Sequence, residues 1–299
     1  MSRPAEDITN AIAIAMNIRH GFAFQEAVLR ACHGLKIDSS ETGEFVLIDR
    51  EIPVTLGERE FHVDGVLSFE SARTKGSEVS LFVAVECKRV YPEFSAWAFG
   101  RTGVGAFLPT HVFFDVFMPL KPTYQPTLVP LGSPVYRVRA AHCGLAVAPV
   151  VQIGLDIRID KPEDRAQTLP EVVGQAWRGA SGYADHLGHV FKPGSNMWRV
   201  QPMVVTTARL FVCKHPLDEA DLHTGTISNH EFDEVDWLWY EQNLNHSLSP
   251  SAHRVFPVSD LLLKDDILQF HKRSLLIVRP PALREALTTL ACQFHSFLG

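Results

Sequence analysis

The chain has 299 residues and a formal net charge of −6, which argues against a protein coated with basic side chains for nonspecific nucleic-acid binding. Hydrophobic residues make up 46% and charged residues 21%, as in ordinary folded domains, so extensive disorder is excluded. The apolar stretches near the N-terminus, such as residues 11–16, lack the length and the basic flank of a signal sequence or membrane span. We therefore expect a cytoplasmic protein without a membrane partner.

The first ninety residues predict a helix followed by three strands. Apolar side chains recur at helical spacing over residues 6–34, with a break near Gly21 and a stop at Gly34. From Glu44 the apolar period becomes two, which predicts strands at residues 45–54, 61–69 and 81–90. Because the connections between these strands are short, we expect an antiparallel meander.

The rest of the chain predicts an interruption and then further helices and strands. Residues 91–150 predict a loop-rich insertion, since their apolar runs are interrupted by prolines at 92, 109, 119, 122, 126, 130 and 134. Regular patterns then predict strands or helices at residues 145–159 (strand), 170–187 (helix), 200–213 (strand), 235–240 (strand), 275–278 (strand) and from 282 (helix). We expect a core over residues 1–213 and an extension over residues 214–299 that packs on it.

Charge is distributed unevenly along the chain. Residues 88–139 hold six lysine and arginine residues against two acidic ones, whereas residues 214–241 hold eight acidic residues against one lysine. A basic stretch can face phosphates, and an acidic stretch repels them. The first of these segments is therefore the better candidate to face a nucleic acid.

The strand predicted at residues 81–90 changes character near its end. After an apolar run it carries Glu86 and Lys88, with Cys87 between them. Strand side chains alternate between faces, so Glu86 and Lys88 project from one face and Cys87 from the other. Because unpaired buried charge is costly, we interpret an acid and an amine that share one pocket as a functional pair.

Asp64 supplies a second carboxylate, in the preceding strand and among apolar neighbours. If the two strands pair, Asp64 lies beside Glu86, and two converging carboxylates repel each other unless a cation sits between them. Mg²⁺ suits oxygen ligands and retains several waters in its shell. The pattern predicts a Mg²⁺ site at these two residues, with Mn²⁺ as a substitute.

Asp64 together with Glu86-Cys87-Lys88, on the second and third strands of a helix and meander, resembles the D…ExK signature of the PD-(D/E)XK (restriction-endonuclease-like) nuclease superfamily. The resemblance covers roughly residues 20–90 and implies an α/β core of helix, antiparallel β-meander, further helix and strand. It implies that Asp64, Glu86 and the backbone carbonyl of Cys87 bind the metal. Lys88 would then orient the attacking water and stabilise charge on the phosphate. The residue before Asp64 is valine, whereas the motif is named for a proline there; that position varies in the family and binds no metal.

The resemblance suggests two further positions. Many members use a glutamate on the preceding helix, and Glu26 matches it as a catalytic residue and metal ligand. Some recombination-type members place a glutamine on the helix after the ExK strand, and Gln175 is the counterpart on the helix predicted at residues 170–187. For both residues the alternative interpretation is an ordinary solvated helix position.

We expect a metal-dependent nuclease with DNA as its substrate and RNA as the alternative, in restriction or antiphage defence by analogy with stand-alone bacterial members. A second copy of the chain or an activating protein is a further candidate partner. The main alternative is a catalytically inactive nuclease-like scaffold that contacts a basic partner through its acidic C-terminal region, and a third is hydrolysis of a small phosphate ester. The motif also has structural alternatives, an exposed ion pair between Glu86 and Lys88 and a hairpin turn at Asp64 and Gly65.

Overall fold

The computed structural model describes the chain in separate ranges. The described residues are 21–37, 43–56, 59–71, 79–90, 95–100, 113–120, 123–130, 148–158, 168–190, 197–224, 226, 231–243 and 272–297. Their α-helices are α1 (Phe22–Cys32), α2 (Thr168–Val190) and α3 (Leu283–Phe297). Their strands are β1 (Leu35–Ile37), β2 (Gly43–Leu56), β3 (Arg59–Ser71), β4 (Val79–Lys88), β5 (Ser95–Gly100), β6 (Phe113–Leu120), β7 (Thr123–Pro130), β8 (Val150–Val151), β9 (Ile153–Arg158), β10 (Met197–Thr206), β11 (Arg209–Cys213), β12 (Phe232–Val235), β13 (Trp237–Asn243) and β14 (Lys272–Val278). Of the helices in these ranges, none combines the length and the apolar character needed to cross a bilayer.

Ten strands of the described ranges form one mixed sheet. Its order is β1-β2-β3-β4-β10-β14-β13-β8, and the β6–β7 hairpin pairs beside the first part of β10. Strands β2, β3 and β4 are antiparallel neighbours, whereas β10 runs parallel to both β4 and β14. Parallel neighbours need a crossover connection, and α2 lies in the crossover between β4 and β10. The α/β class, the second segment of the predicted helix (α1) and the antiparallel meander are confirmed, whereas residues 6–20 of the predicted helix lie outside the described residues.

Helices cover both faces of this sheet. Helices α1 and α3 pack on one face, and α2 packs on the other. Side chains of β4 alternate between the two: Val83 and Val85 join the core under α1 and α3, while Phe82 and Ala84 join the core under α2. Full burial of such an apolar side chain contributes about 1.5–3 kcal/mol. By the same alternation, the charged residues at the end of β4 emerge on the α2 face.

A smaller sheet continues the central strands, in the order β12-β11-β5-β9. Its central strands β5 and β11 are parallel, as β4 and β10 are before them. The two pairs are joined at Thr207, whose hydroxyl donates to the Val90 carbonyl at 2.5 Å and accepts from the Val90 N–H at 2.8 Å. Trp97 of β5 and Val204 of β10 belong to one buried cluster, so the two sheets share a core.

Residues 91–150 differ from the predicted loop-rich insertion. Strands β5, β6 and β7 lie within this range. Residues 96–99 of β5 are all buried, and a strand buried on both faces lacks the alternation by which strands are recognised. In the described residues β7 pairs with β6 alone, and an edge strand tolerates proline. Strands β13 and β14 belong to the main sheet, and a boundary near residue 213 stays a prediction.

Candidate functional site

The charged end of β4 lies where two strands separate. Strands β3 and β4 pair from Phe69 with Leu81 to Gly65 with Val85. Beyond that last pair β3 continues beside β2, whereas β4 continues beside β10. Asp64 is thus the first residue of β3 beyond the paired region, and Glu86 is the first residue of β4. We call this place, with Asp64, Glu86 and Lys88, the fork.

Asp64 holds the two sides of the fork together. Its Oδ2 accepts a hydrogen bond of 2.6 Å from the backbone N–H of Cys87. A hydrogen bond to a charged group contributes about 1.5–3 kcal/mol. The next residue, Gly65, lies inside β3, and Leu29 of α1 occupies the space where a Cβ at Gly65 would point. Asp64 and Gly65 are therefore part of a packed strand and do not form a hairpin turn.

Both carboxyl groups of the fork have raised pKa values, so their ionised forms are disfavoured. Burial raises the pKa of Asp64 to about 6, and the charge of Glu51 adds to the rise, while the Cys87 N–H and the charge of Lys88 oppose it. Burial also raises the pKa of Glu86 to about 8, reinforced by the charge of Asp64 and opposed by that of Lys88. The two acids repel each other at a half-buried point. A cation between them would favour both ionised forms.

Lys88 and Cys87 face opposite sides of β4. Lys88 follows Glu86 on the α2 face, and its charge lowers the pKa of both acids of the fork. The Cys87 side chain packs against the core under α1 and α3, and burial raises the pKa of its thiol well above the usual value. The Lys88 carbonyl accepts from the Thr207 N–H at 3.3 Å on the β10 side. Successive carbonyls of a strand point in opposite directions, so the Cys87 carbonyl faces β3 and the fork.

Helix α1 presents a different residue to the fork from the one expected. Glu26 forms an exposed bidentate ion pair with Arg50, with Oε2–Nε at 3.0 Å and Oε1–Nη2 at 3.2 Å. The neighbouring Gln25 donates from Nε2 to the Asp64 carbonyl at 3.3 Å and to the Glu51 carboxylate. The structure therefore brings together the three residues of the D…ExK signature, and it does not bring Glu26 to them.

Glu51 is a third carboxylate beside the fork, which the sequence analysis missed. Its charge raises the pKa of both Asp64 and Glu86. Its backbone has φ 47°, a left-handed conformation that costs a non-glycine residue about 1–2 kcal/mol. The register of β2 shifts between Leu47 and Asp49, and the alternation is broken, because Arg50 contacts α1 whereas Ile52 packs on the α2 face. Simple alternation along β2 therefore could not find Glu51.

Helix α2 contributes Arg178, which the sequence analysis also missed. Gln175 is exposed, and the structure does not bring it to the fork. The Arg178 Cζ lies 5.1 Å from the centre of the Phe61 ring on β3, and its charge lowers the pKa of Glu86. A signal was available in the sequence, because the one arginine of this helix stands among small residues.

The donors at the fork fit Mg²⁺ better than zinc. Within the described ranges, no three His, Cys, Asp or Glu side chains are arranged so that they could hold one metal ion. Zinc needs three or four protein ligands, whereas Mg²⁺ binds through one or two carboxylates and keeps several waters. Asp64, Glu86 and the Cys87 carbonyl are oxygen donors of the kind that could hold Mg²⁺.

The acidic segment, residues 214–241, is largely neutralised by local cations. Glu234 accepts hydrogen bonds from Arg209 at 3.0 and 2.8 Å, and hydrogen bonding to Arg209 lowers its pKa. Further ion pairs join Lys214 to Glu231 and Asp233, and Arg279 to Glu234 and Asp236. Of the basic residues counted between 88 and 139, only Lys88 and Arg89 belong to the described residues.

Comparison with known proteins identifies no relative. No family model, curated protein or solved structure matches this chain. Function must therefore be inferred from the residues of the fork and of the elements around it.

Proposed function

We propose that this chain is a metal-dependent nuclease whose active site is the fork. The observation that carries the proposal is the meeting of Asp64 and Glu86 at the point where β3 and β4 separate, with Lys88 on the same face. Two half-buried carboxylates with raised pKa values and no neutralising ion pair in the described residues are an unusual arrangement, and such arrangements cluster at functional sites.

The order of elements supports a PD-(D/E)XK (restriction-endonuclease-like) core for this proposal. Helix α1, the meander β2-β3-β4, helix α2 and the parallel strand β10 follow one another as in that superfamily. Asp64 stands on the second strand of the meander and the ExK triplet on the third. On this proposal β5, β9, β11 and β12, with β13 and β14, elaborate the core.

Each residue of the fork has a distinct role in the proposed reaction. Asp64 and Glu86, with the Cys87 carbonyl, would hold Mg²⁺ or Mn²⁺, which when bound generates hydroxide from water and neutralises charge on a phosphate. Lys88 places an ammonium group on the same face, where it orients the attacking water and stabilises the charge that develops on the phosphate. Glu51 and Gln25 fix the backbone around Asp64. DNA as the preferred substrate, and a role in restriction or antiphage defence, follow by analogy alone.

An inactive scaffold that works through the acidic segment is the weaker candidate. Four of its eight acids are bound in ion pairs with Arg209, Lys214 and Arg279. Glu241 is buried in β13, and Asp221 accepts hydrogen bonds from two backbone N–H groups of its own turn. These charges serve the fold of the segment itself, which leaves fewer of them to attract a basic partner.

The test is cleavage of single-stranded DNA, duplex DNA and RNA by the purified chain, with Mg²⁺ or Mn²⁺ and with chelator. The wild-type chain should cleave at least one of them, and only with metal. Asp64→Ala and Lys88→Ala should each lower the rate by about a hundredfold or more. Glu60→Ala is the matched control, because Glu60 is an exposed acid on the same strand as Asp64, and it should keep the wild-type rate.

Two results would contradict the proposal. Metal-dependent cleavage by Asp64→Ala at the wild-type rate would remove the fork as its site. A folded wild-type chain that cleaves none of the three substrates would favour the scaffold. If that chain hydrolyses only a chromogenic phosphodiester, the reaction class stands and a small ester replaces the nucleic acid.

A further inference from the structure

Helix α2 spans the two sides of the fork at close range. A Cβ at Gly179 would lie 3.0 Å from Val63 of β3, and the Tyr183 ring lies 5.8 Å from the Phe82 ring of β4. Glycine at position 179 therefore lets the helix backbone approach one side of the fork while an aromatic contact fixes it to the other. The helix is therefore close enough to both strands for a long side chain to extend toward Asp64 and Glu86.

Arg178 extends toward that space. Helix α2 leads into the start of β10, which is parallel to β4, so α2 runs antiparallel to β4. Helical side chains lean toward the N-terminus of their helix, which for Arg178 is toward the end of β4 that carries Glu86. A Cβ at Gly174, one turn earlier, would lie 3.0 Å from the Arg178 Nη1. Glycine is unfavourable inside a helix, and here it leaves room for the guanidinium group.

The guanidinium group packs on an aromatic ring, and its Nε has no acceptor among the described residues. It lies over the Phe61 ring with Cζ 5.1 Å from the ring centre, a cation–π contact. Its Nε is buried and has no hydrogen-bond partner in the described part of the chain. Buried polar groups are normally hydrogen-bonded, and a guanidinium group carries five N–H donors in one plane. The missing partner is thus an acceptor that can reach a planar cation beside the fork.

We propose that the Arg178 guanidinium, lying on Phe61 beside the fork, is a binding site for a phosphate group of the nucleic-acid backbone. The inference rests on the proposed function, and it adds a contact outside the D…ExK signature. Arginine binds phosphate through two parallel hydrogen bonds. A contact to the backbone carries no sequence information, so Arg178 positions a strand over Asp64 and Glu86 whatever its bases are.

The first test measures binding in chelator, where no cleavage occurs. A short labelled DNA duplex and one of its own strands are titrated with the full chain over a range of salt concentrations. Arg178→Ala should weaken binding about tenfold or more at low salt. The slope of log affinity against log salt should fall by about 0.9 for the duplex and about 0.7 for the single strand, because one phosphate contact is lost. A purely structural role for Arg178 would leave this slope unchanged.

Three further variants separate charge, geometry and stability. Arg178→Lys should keep the salt slope and lose affinity a few-fold, because lysine keeps the charge but lacks the planar set of N–H donors. Gly174→Ala should displace the guanidinium and weaken binding several-fold without lowering the melting temperature. Arg284→Ala is the charge-matched control, since Arg284 is exposed on α3 at the opposite face of the sheet, and it should change neither affinity nor slope.

A second measurement uses cleavage in Mg²⁺. Arg178→Ala should raise KM about tenfold and change kcat by less than about threefold, because the contact is already made in the bound substrate. A wild-type chain that cleaves, beside an Arg178→Ala variant with wild-type affinity and slope, would overturn this inference and leave the proposed function standing. A wild-type chain that neither binds nor cleaves would overturn both. If Arg178→Ala does not fold, wild-type affinity in both Arg178→Lys and Gly174→Ala would overturn the inference.

Discussion

The fork and the acidic segment both concentrate carboxylates. Ion pairs stabilise the ionised carboxylates of the acidic segment, whereas burial disfavours the ionised carboxylates of the fork. In the acidic segment, Arg209 and Arg279 hold the pKa of Glu234 below its usual range at an exposed position. At the fork, burial and the neighbouring Asp64 raise the pKa of Glu86 to about 8. The number of acids therefore does not identify a functional site in this chain. On the proposed function, the acids that matter are those that the fold crowds together without an ion pair among the described residues.

The same substitution in each region should have opposite effects. Glu86→Gln should lower metal-dependent cleavage by about a hundredfold or more. It should also raise the free energy of unfolding of the metal-free chain by about 1–2 kcal/mol at a pH above the raised pKa of Glu86, because a buried charge is removed. Glu234→Gln should leave cleavage unchanged and lower the free energy of unfolding by at most about 1 kcal/mol. Cleavage rates and urea unfolding measure both effects, and equal destabilisation by the two variants would contradict the contrast.

The pH dependence of stability should show the crowding at the fork. The pKa values of Asp64 and Glu86 are raised in the folded chain, to about 6 and about 8, so over this window the folded state binds more protons than the unfolded one. Their stabilisation is full below their unfolded pKa values and is lost as the pH rises through the raised ones. The metal-free chain should therefore lose stability between about pH 4 and pH 8, on the order of 2 kcal/mol more than Glu86→Gln does.

Metal should reverse this trend. Binding of Mg²⁺ requires deprotonated ligands, so the rise in melting temperature on adding Mg²⁺ should grow with pH over the same window. Urea unfolding and thermal melts with and without Mg²⁺ measure the two effects. A wild-type pH profile that coincides with that of Glu86→Gln would show that the fork carboxylates are not strained by burial.

A smaller effect is expected at Glu51, whose left-handed backbone is the strained point beside Asp64. Glycine adopts this conformation freely, whereas alanine does not. Glu51→Gly should therefore be more stable than Glu51→Ala by about 1 kcal/mol, although both lose the carboxylate. Urea unfolding of the two variants gives the difference, and a more stable Glu51→Ala would mean that the left-handed conformation is not maintained.

Most of the elements that build the fork could be predicted from the sequence, because they follow simple periods. The alternation along β2, β3 and β4 predicted the meander, and it placed Glu86 and Lys88 on one face. Strand β5 could not be found in this way, since it is buried on both faces and lies among prolines. The single run predicted over residues 200–213 is divided between β10 and β11 at Thr207, where the break depends on a hydrogen bond to Val90 that no local pattern reveals.

The sequence analysis missed three residues near the fork for one physical reason. A periodic pattern does not determine which side chain of an element points toward the fork. Helix α1 presents Gln25 where Glu26 was predicted, one position away. Helix α2 presents Arg178 where Gln175 was predicted, three positions away. A sequence period locates the apolar face of a helix, but the side chain that reaches past the edge of that face depends on its length and on neighbouring glycines. Glu51 was missed because a register shift in β2 changes which residues face the fork.

The most direct test of the account is the binding of Mn²⁺, measured by calorimetry, to the wild-type chain, Asp64→Ala and Glu234→Ala. The wild-type chain should bind Mn²⁺ saturably. Asp64→Ala should lose affinity by about tenfold or more, whereas Glu234→Ala should keep it, because Glu234 is already paired with Arg209 and Arg279 and Asp64 forms no ion pair with the described residues. Wild-type affinity in Asp64→Ala, or loss of binding in Glu234→Ala, would contradict the claim that the fork is the metal site.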